Sequence, residues 1–232
     1  MKRAKIKIIN DGPFVVFGNI SLDKQIIGFN NEGYPDKWIH GKRYPLQNIY
    51  SLCRCGESKK KPFCDGSHLL VSFVGTETAT RESFIKQADE VDGPTLKLFD
   101  VLKLCAVARF CYRAGGTWKL TRQSDDPESR KIAIEETGDC PSGRLVVQDT
   151  KTGKIIEPYF KSSISIVEDP QKNVSGPLWV KGGIPIESSD GFEYEIRNRC
   201  TLCRCGKSST KPFCNGNHIK VGFNDGGESL KK

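Results

Sequence analysis

One stretch of sixteen residues occurs twice in the chain and constrains its fold more than any other feature. The first copy runs from Cys53 to His68 and the second from Cys203 to His218, and eleven of the sixteen positions are identical. A repeat this close predicts two equivalent structural units. Three thiols and one imidazole at a fixed spacing predict a metal site in each copy, with the ligands Cys53, Cys55, Cys64 and His68, and Cys203, Cys205, Cys214 and His218.

The spacing of the first two cysteines bears on the kind of metal. A Cys-x-Cys pair brings two sulfur atoms to one metal, and the Cys-x3-His pair further along can serve a second metal nearby. Zinc sites more often use pairs separated by two to four residues. A structural zinc site with three cysteines and one histidine is the alternative that these residue types leave open.

Both copies resemble the signature of the CDGSH iron–sulfur family, also called NEET-type, which reads Cys-x-Cys-x8-Cys-x3-His. The segment Cys64-Asp-Gly-Ser-His68 supplies the five residues after which the family is named. The resemblance implies a [2Fe-2S] cluster in each copy, with two thiolates on one iron and the Cys–His pair on the other. Relatives with one motif form homodimers, so the resemblance also implies a monomer that closes the same pseudo-twofold arrangement within one chain.

A second group of cysteines lies between the two copies. Cys105 and Cys111 are separated by five residues, and Cys140-Pro141 follows later in the chain. This pattern resembles divergent single-cluster ferredoxins, in which a run of cysteines is closed by a distant Cys-Pro. The position midway between the first two cysteines is Ala108, which cannot bind iron. The resemblance therefore implies a [3Fe-4S] cluster, with [4Fe-4S] as the less favoured form, and three buried or free thiols are the alternative.

The motifs divide the chain into three units of an α+β fold. We predict a first CDGSH iron–sulfur unit over residues 1–74, a divergent ferredoxin-like insertion over 75–160, and a second CDGSH unit over 161–232. The segments 12–20 and 176–184 resemble each other, which predicts equivalent strands ahead of the two metal loops. We expect the two halves to share one small antiparallel β cap, because each has few apolar residues of its own.

Local patterns predict individual elements. Apolar alternation predicts strands over residues 5–9, 14–17 and 163–167. Within the insertion we predict a helix over 80–91, a strand over 96–99, a helix or turn over 100–110, a helix over 127–136 and a strand over 145–147.

Composition narrows the setting in which the protein works. The chain has ten cysteines, its N-terminus opens with the charged Met1-Lys-Arg rather than a signal peptide, and no run of about 18 apolar residues occurs. We expect a cytoplasmic protein without a membrane span, whose clustered cysteines bind metal rather than form disulfides. The formal charge is +8, but neither motif is flanked by a basic helix, so we expect no nucleic-acid binding. The expected partner is an acidic redox protein or an acceptor of iron–sulfur clusters.

These features predict an iron–sulfur protein for electron transfer or cluster transfer, without an enzymatic active site. A neutral imidazole ligand raises the reduction potential relative to four thiolates and can be protonated and leave. Two alternatives are a zinc-dependent structural or nucleic-acid module, and a redox enzyme that uses Cys200 or the middle cysteines as catalytic thiols. We predict instead that Cys200 is a free thiol, because Tyr50 takes its place in the first copy, and that His40 is an ordinary surface residue.

The two copies differ beside their ligands. Asp65 of the first copy corresponds to Asn215 of the second. Loss of one negative charge favours the reduced, more negative state of a cluster, so we predict the higher potential at the second site. Ser58 and Ser208 are candidate hydroxyl donors to the metal ligands.

Overall fold

The computed structural model describes residues 4–230 and shows a mixed α+β fold with three β-sheets and few helices. The predicted fold class is confirmed at this level. The opening Met1-Lys-Arg, on which part of the signal-peptide argument rests, lies outside the described residues, as do residues 231–232.

Most of the described strands have two to five residues, and the longer ones have seven to nine. In chain order they are β1 (Lys5–Ile8), β2 (Phe14–Phe17), β3 (Ser21–Phe29), β4 (Pro35–Arg43), β5 (Ile49–Leu52), β6 (Asp89–Asp92), β7 (Leu96–Asp100), β8 (Leu145–Asp149), β9 (Ile155–Ile156), β10 (Ser163–Asp169), β11 (Val174–Lys181), β12 (Ile186–Glu187) and β13 (Arg199–Leu202). The longer strands are β3, β4, β10 and β11.

The helices are mostly single turns. They are α1 (Ser67–Leu70), α2 (Phe84–Gln87), α3 (Thr117–Arg122), α4 (Pro127–Asp139) and α5 (Asn217–Lys220), with 3₁₀ segments at Leu102–Leu104, Phe110–Tyr112 and Glu228–Leu230. Within residues 4–230, none of these helices has the length and apolar character needed to span a membrane.

Two of the sheets combine strands from both halves of the chain. The strand order is β12-β1-β2-β5 in the first sheet and β13-β11-β10-β3-β4 in the second. The first half begins with the hairpin of β1 and β2, and the second half begins with the hairpin of β10 and β11. The strand that follows each hairpin pairs in parallel with the other hairpin: β3 pairs with β10, and β12 pairs with β1. Each half therefore supplies a strand to the sheet of the other half.

The two exchanged strands pair at equivalent positions. Ile6 lies opposite Ile186 in the first sheet, and Ile164 lies opposite Leu22 in the second. All four side chains are buried in one apolar core that both halves build. The other buried members of this core are Ile8, Phe14, Val16, Ile20, Tyr50, Leu52, Ile166, Leu178, Val180, Ile184, Tyr194, Cys200 and Leu202.

The third sheet is formed entirely within the insertion. Its order is β6-β7-β8-β9, and all neighbouring strands are antiparallel. α3 and α4 contact each other and pack against this sheet, which gives the insertion a core of its own. The buried members of that core are Leu96, Leu98, Leu120, Ala133, Leu145 and Val147.

The helix predicted over residues 80–91 is wrong for most of its length. Only Phe84–Gln87 is helical, and Asp89–Asp92 is a strand. Gly93 and Pro94 form the turn of a hairpin, in which the Gly93 N–H donates to the Leu96 carbonyl oxygen at 2.9 Å. Pairing with β7 gives this segment its hydrogen bonds and overrides its helical propensity.

The helix predicted over 127–136 is present and extends to Asp139. The Asp126 carboxylate caps it by accepting a hydrogen bond from the Ser129 N–H at 2.8 Å, and Pro127 occupies the first helical position. The predicted strands over 96–99 and 145–147 are also present, each slightly longer. The 100–110 segment forms a 3₁₀ turn and loop, and α3 and the β3–β4 hairpin were not predicted.

Ile164 tests whether the two halves share one core. We expect Ile164→Ala to lower the free energy of unfolding by about 2–5 kcal/mol, because it removes buried methyl groups and leaves a cavity beside β3. The control is Ile155→Ala in β9, whose side chain is 44% exposed and whose loss should cost less than about 0.5 kcal/mol. Urea unfolding measures both, and equal costs would contradict the shared core.

Candidate metal centres

Each metal loop begins at the end of a strand and folds back onto it. The Cys53 N–H donates to the Pro62 carbonyl oxygen at 2.8 Å, and the Cys64 N–H donates to the Ser51 carbonyl oxygen at 2.9 Å. The second loop repeats both bonds at 2.8 and 2.9 Å. These hydrogen bonds hold the third cysteine of each motif beside the strand that immediately precedes the first cysteine of that motif.

The predicted ligands of each motif meet as two pairs. In the first loop the Sγ atoms of Cys53 and Cys55 are 3.7 Å apart, and Cys64 Sγ lies 3.4 Å from His68 Nδ1. A tetrahedral metal about 2.3 Å from each thiolate separates its two sulfurs by about 3.8 Å. Both pairs therefore have the spacing of two ligands on one metal. The second loop has the same distances, 3.7 Å for Cys203–Cys205 and 3.4 Å for Cys214–His218.

The two pairs of a motif do not converge on a single ion. Across residues 4–230, no three Cys, His, Asp or Glu side chains surround one point that could hold a metal ion. A mononuclear zinc site of the predicted type would need four converging ligands. The arrangement suits two metals, each with two protein ligands.

Main-chain donors favour a thiolate in each Cys-x-Cys pair. A hydrogen bond from Cys55 lowers the pKa of Cys53 against the opposing effect of burial, and the main-chain N–H groups of Ser58 and Gly56 lower it further. The pKa of Cys203 is lowered by the equivalent groups. The thiolate, the form of sulfur that binds metals, is thus favoured at the first cysteine of each motif, whereas burial raises the pKa of the third cysteine of each motif.

The hydroxyl groups of the two motif serines donate hydrogen bonds to main-chain carbonyl groups of the loop and not to the cysteine sulfur atoms. The Ser58 hydroxyl donates to the Phe63 carbonyl oxygen at 2.6 Å and accepts from the Lys60 N–H at 3.0 Å. The Ser208 hydroxyl donates to the Phe213 carbonyl oxygen at the same distance. The prediction that these hydroxyls donate to the ligands is wrong, because the loop carbonyl is the nearer acceptor.

The two metal loops contact each other reciprocally through glycines. Gly56 and Gly206 have positive φ values of 87° and 75°. A Cβ atom on Gly56 would lie 2.7 Å from the Cys205 carbonyl oxygen, and one on Gly206 would overlap the Cys55 carbonyl oxygen. Only glycine fits this backbone and this contact. The two sites therefore lie side by side, a contact that the sequence does not reveal.

The second site is covered and the first is open. His218 is 3% exposed, whereas His68 is half-buried and is followed by Leu69 and Leu70 at 76% and 86% exposure. The cover comes from the insertion, because a Cβ on Gly216 would meet the Val107 side chain at 2.5 Å.

Burial of the second histidine also changes its protonation. Burial lowers the pKa of His218 to about 4, and the nearby guanidinium of Arg204 and, less strongly, that of Arg109 act in the same direction. Neutral imidazole, the form that binds metals, is therefore favoured at the second site.

The motif arginines have different surroundings. Arg204 donates to Asp225 at 2.5 Å and lies 3.4 Å from Glu168. Arg54 lies near the rings of Phe14 and Phe73 and donates to the Gly75 carbonyl oxygen, but its Nε and Nη1 atoms are buried without an acceptor among the described residues. Burial lowers the pKa of Arg54. The first site thus has an uncompensated cation where the second has an ion pair.

The three cysteines of the insertion line one small cavity. Cys105, Cys111 and Cys140 all face it, as predicted for a common site. The loop between the first two has left-handed backbone at Val107 and Arg109, with φ values of 56° and 67°. Positive φ is costly for a β-branched residue, and such strain concentrates at functional sites.

The three thiols are close enough to influence one another. Burial raises the pKa of Cys111 to about 12, and the neighbouring Cys140 and Cys105 raise it further. Arg144 lines the same cavity and opposes this effect, while donating to Asp100 at 2.7 Å. A buried cationic iron core would neutralise the repulsion between three thiolates.

The remaining residues singled out in the sequence are not at a metal site. Cys200 is 7% exposed in the core shared by the two halves, and burial raises its pKa to about 12. None of the ten cysteines forms a disulfide, so Cys200 is a free thiol as predicted, and it is protonated and poorly suited to nucleophilic attack. His40 is exposed in β4, as predicted, with its Nδ1 atom 2.7 Å from Gln25 Nε2.

Comparison with known families agrees with the arrangement of these sites. Residues 11–69 and 175–219 match the family model described as an iron-binding zinc finger of CDGSH type, and residues 91–150 match that of a divergent 4Fe-4S mono-cluster. No curated protein and no solved structure matches the chain. The resemblance is confirmed: two CDGSH segments flank a divergent mono-cluster segment. The matches support an iron–sulfur protein.

Gly206 tests whether the contact between the two loops matters for metal binding. We expect Gly206→Ala to reduce the iron content of both motifs, because its Cβ would displace the Cys55 main chain in the other loop. The matched control is Gly153→Ala, which has a similar φ of 68° but no atom within 4 Å of the added Cβ. Iron analysis of the two purified variants distinguishes backbone strain from loop contact, and equal iron contents would contradict the contact's role.

Proposed function

We propose that the protein transfers electrons or iron–sulfur clusters, and that it holds two [2Fe-2S] clusters and one [3Fe-4S] cluster. The observation that carries the proposal is the division of each CDGSH ligand set into two separate pairs. Two irons bridged by sulfide need this division, whereas a single zinc ion needs four converging ligands. The geometry therefore favours iron–sulfur clusters over the zinc-binding structural module.

The third cluster is supported by the mono-cluster match and by the cavity that Cys105, Cys111 and Cys140 share. Ala108 lines this cavity midway between the first two cysteines and offers no ligand atom. The other lining side chains include neither a fourth cysteine nor a histidine. Three protein ligands suit the [3Fe-4S] form better than [4Fe-4S].

The reciprocal strand exchange supports a monomer with pseudo-twofold symmetry. β3 and β12 cross to equivalent positions in the opposite sheets, as identical subunits of a dimer would exchange them. We propose that the two mixed sheets, which enclose one core, form the β cap shared by the two halves, although the strands exchanged between the halves pair in parallel and not in the antiparallel manner that the sequence analysis expected. One chain thereby supplies both halves of the arrangement that single-motif relatives build from two.

The contacts between the sites favour one order of transfer. The second CDGSH loop contacts the first through Gly206 and contacts the insertion loop through Gly216. The second site is thus the neighbour of both other sites, and it is buried. We propose that exchange with a partner takes place at the exposed first site.

The surroundings of the first site suit an acidic partner protein. The exposed Leu69 and Leu70 lie beside it in sequence, and Lys59 and Lys60 of the same loop are also exposed. An apolar contact rimmed by positive charge fits a redox protein or cluster acceptor with an acidic rim. We propose no nucleic acid, no membrane and no enzymatic reaction for this chain, and a cytoplasmic location.

The two histidines should respond differently to acid. We expect His68→Cys to slow the loss of visible absorbance at mildly acid pH by roughly tenfold, because it replaces an accessible ligand that protonation can detach. His218→Cys should change the decay far less, since His218 is already buried. Stopped-flow absorbance after a pH drop measures both rates, and identical decay in the wild type and His68→Cys would refute release through this histidine.

Two substitutions that interchange the charged and neutral residues of the two motifs test the proposed electron transfer. We expect Asp65→Asn to raise the reduction potential of the first site and Asn215→Asp to lower that of the second, because negative charge disfavours the reduced cluster. One Asp65 carboxylate oxygen accepts from the Ser67 N–H and the other accepts from the Lys59 N–H, so an asparagine amide keeps the first hydrogen bond and loses the second. Optical redox titration reports the two shifts as reversible bleaching. Unchanged potentials in both variants, or a protein that is colourless and cannot be reduced, would contradict the proposal.

A further inference from the structure

A cavity separate from the three metal sites lies where residues 78–87, which open the predicted insertion and are called the linker below, meet the rest of the insertion and the second half. Its volume is about 400 Å³, within the range of about 300–1,000 Å³ that is typical of small-molecule sites. The linker contributes residues 78–82, 84 and 87, the insertion contributes 103, 104 and 142, and the second half contributes residues between 184 and 213.

The deep walls of this cavity are apolar and partly aromatic. Phe84, Ile184, Ile186 and Tyr194 are each no more than 5% exposed, and the half-buried Phe213 completes this wall. The Tyr194 hydroxyl donates a hydrogen bond to the Glu77 carboxylate at 2.8 Å, so Tyr194 contributes its aromatic ring to the cavity wall. Walls of this kind gain free energy by burying an apolar or aromatic body.

One cation on the wall, Arg197, forms no ion pair with any of the described residues. The Arg197 guanidinium stacks on the Phe84 ring, 3.6 Å from its centroid, and donates to the Gly143 carbonyl oxygen at 2.6 Å. No carboxylate in residues 4–230 lies within ion-pair distance of it. Burial lowers the pKa of Arg197, and the more distant carboxylates of Glu157 and Glu195 oppose this effect. A guanidinium held in this way has free donors for an anion.

The other charged groups on the wall are mostly engaged. Arg81 pairs with Asp190 at 2.5 Å. Glu195 accepts a hydrogen bond from the Phe84 N–H at 2.6 Å, and Glu82 lies 3.3 Å from Lys86. Lys103 of the insertion forms no ion pair among the described residues and adds a second positive charge at the wall.

We propose that this cavity binds a small aromatic carboxylate, with its carboxylate on Arg197 and its rings against Phe84 and Phe213. The apolar walls recognise the body of the ligand, and the guanidinium selects for the negative charge. This site goes beyond electron or cluster transfer and does not depend on the kind of metal bound.

The location of the cavity connects such a ligand to two metal sites. Phe213 immediately precedes Cys214, and the Thr201 carbonyl oxygen accepts a hydrogen bond from the Cys214 N–H at 2.9 Å. On the opposite wall the Ser142 hydroxyl lies 3.5 Å from Cys140 Sγ. A bound ligand thus touches residues next to the second CDGSH site and next to the insertion site.

The first test is calorimetric titration of the metal-loaded protein with 1-naphthoate. We expect one saturable site with a dissociation constant of about 1 mM or tighter. The neutral analogue 1-naphthalenemethanol should bind at least about tenfold more weakly, because it cannot pair with Arg197. Absence of saturable binding by naphthoate, or equal affinity of the neutral analogue, would overturn the proposal.

Substitutions of residues in the cavity wall test whether naphthoate binds at this cavity. Arg197→Gln should weaken naphthoate binding by about tenfold or more, and Ala79→Trp should abolish it by filling the cavity from the linker side. The matched control is Arg122→Gln, which removes one exposed positive charge from α3, away from the cavity. Circular dichroism reports whether each variant has folded, and Lys103→Gln, expected to weaken binding severalfold, provides a surface variant if Arg197→Gln does not fold. Unchanged affinity in the folded cavity variants would refute the site.

Discussion

The reciprocal exchange of β3 and β12 between the two sheets is the interaction on which the rest of the structure depends. Both halves of the chain contribute buried side chains to one apolar core. Exchange places Ile164 and Leu22 from different halves in one buried core, and Ile6 and Ile186 in the matching position. The strands β5 and β13, which lead into the metal loops, are edge strands of the same two sheets, so the core also fixes both loops.

The two CDGSH sites have the same distances between their ligand atoms but differ in the residues that surround them. The sulfur–sulfur and sulfur–nitrogen distances agree between the two motifs, because the same main-chain bonds close both loops. Among the described residues, the insertion covers the second loop, and of the two motif arginines Arg204 alone forms ion pairs with carboxylates. The insertion therefore converts a symmetric pair of sites into an open site and a buried one. Under the proposed function, this difference would set the direction of transfer between the sites of one chain.

The sequence predicted which cysteine and histidine side chains lie close together, but it did not predict the residues that surround them. Ligand spacing is a local property, and all eight CDGSH residues and the three insertion cysteines lie in the groups that the spacing predicted. The helix expected over residues 80–91 was wrong because pairing between β6 and β7 decides that segment. The partners of β3 and the cover over Gly216 depend on contacts between distant segments, which leave no periodic pattern. Arg197 gave no signal in the sequence, since only the three-dimensional structure shows its stacking on Phe84 and the absence of an ion-pair partner within residues 4–230.

The central claim is that the chain holds two dinuclear clusters and one cuboidal cluster, and the metal and sulfide content tests it most directly. Iron, zinc and acid-labile sulfide are measured per chain after anaerobic purification, together with the visible spectrum. The account predicts about seven iron and about eight sulfide ions per chain, with no stoichiometric zinc. About four of each would show that Cys105, Cys111 and Cys140 hold no cluster, and zinc without sulfide would contradict the account as a whole.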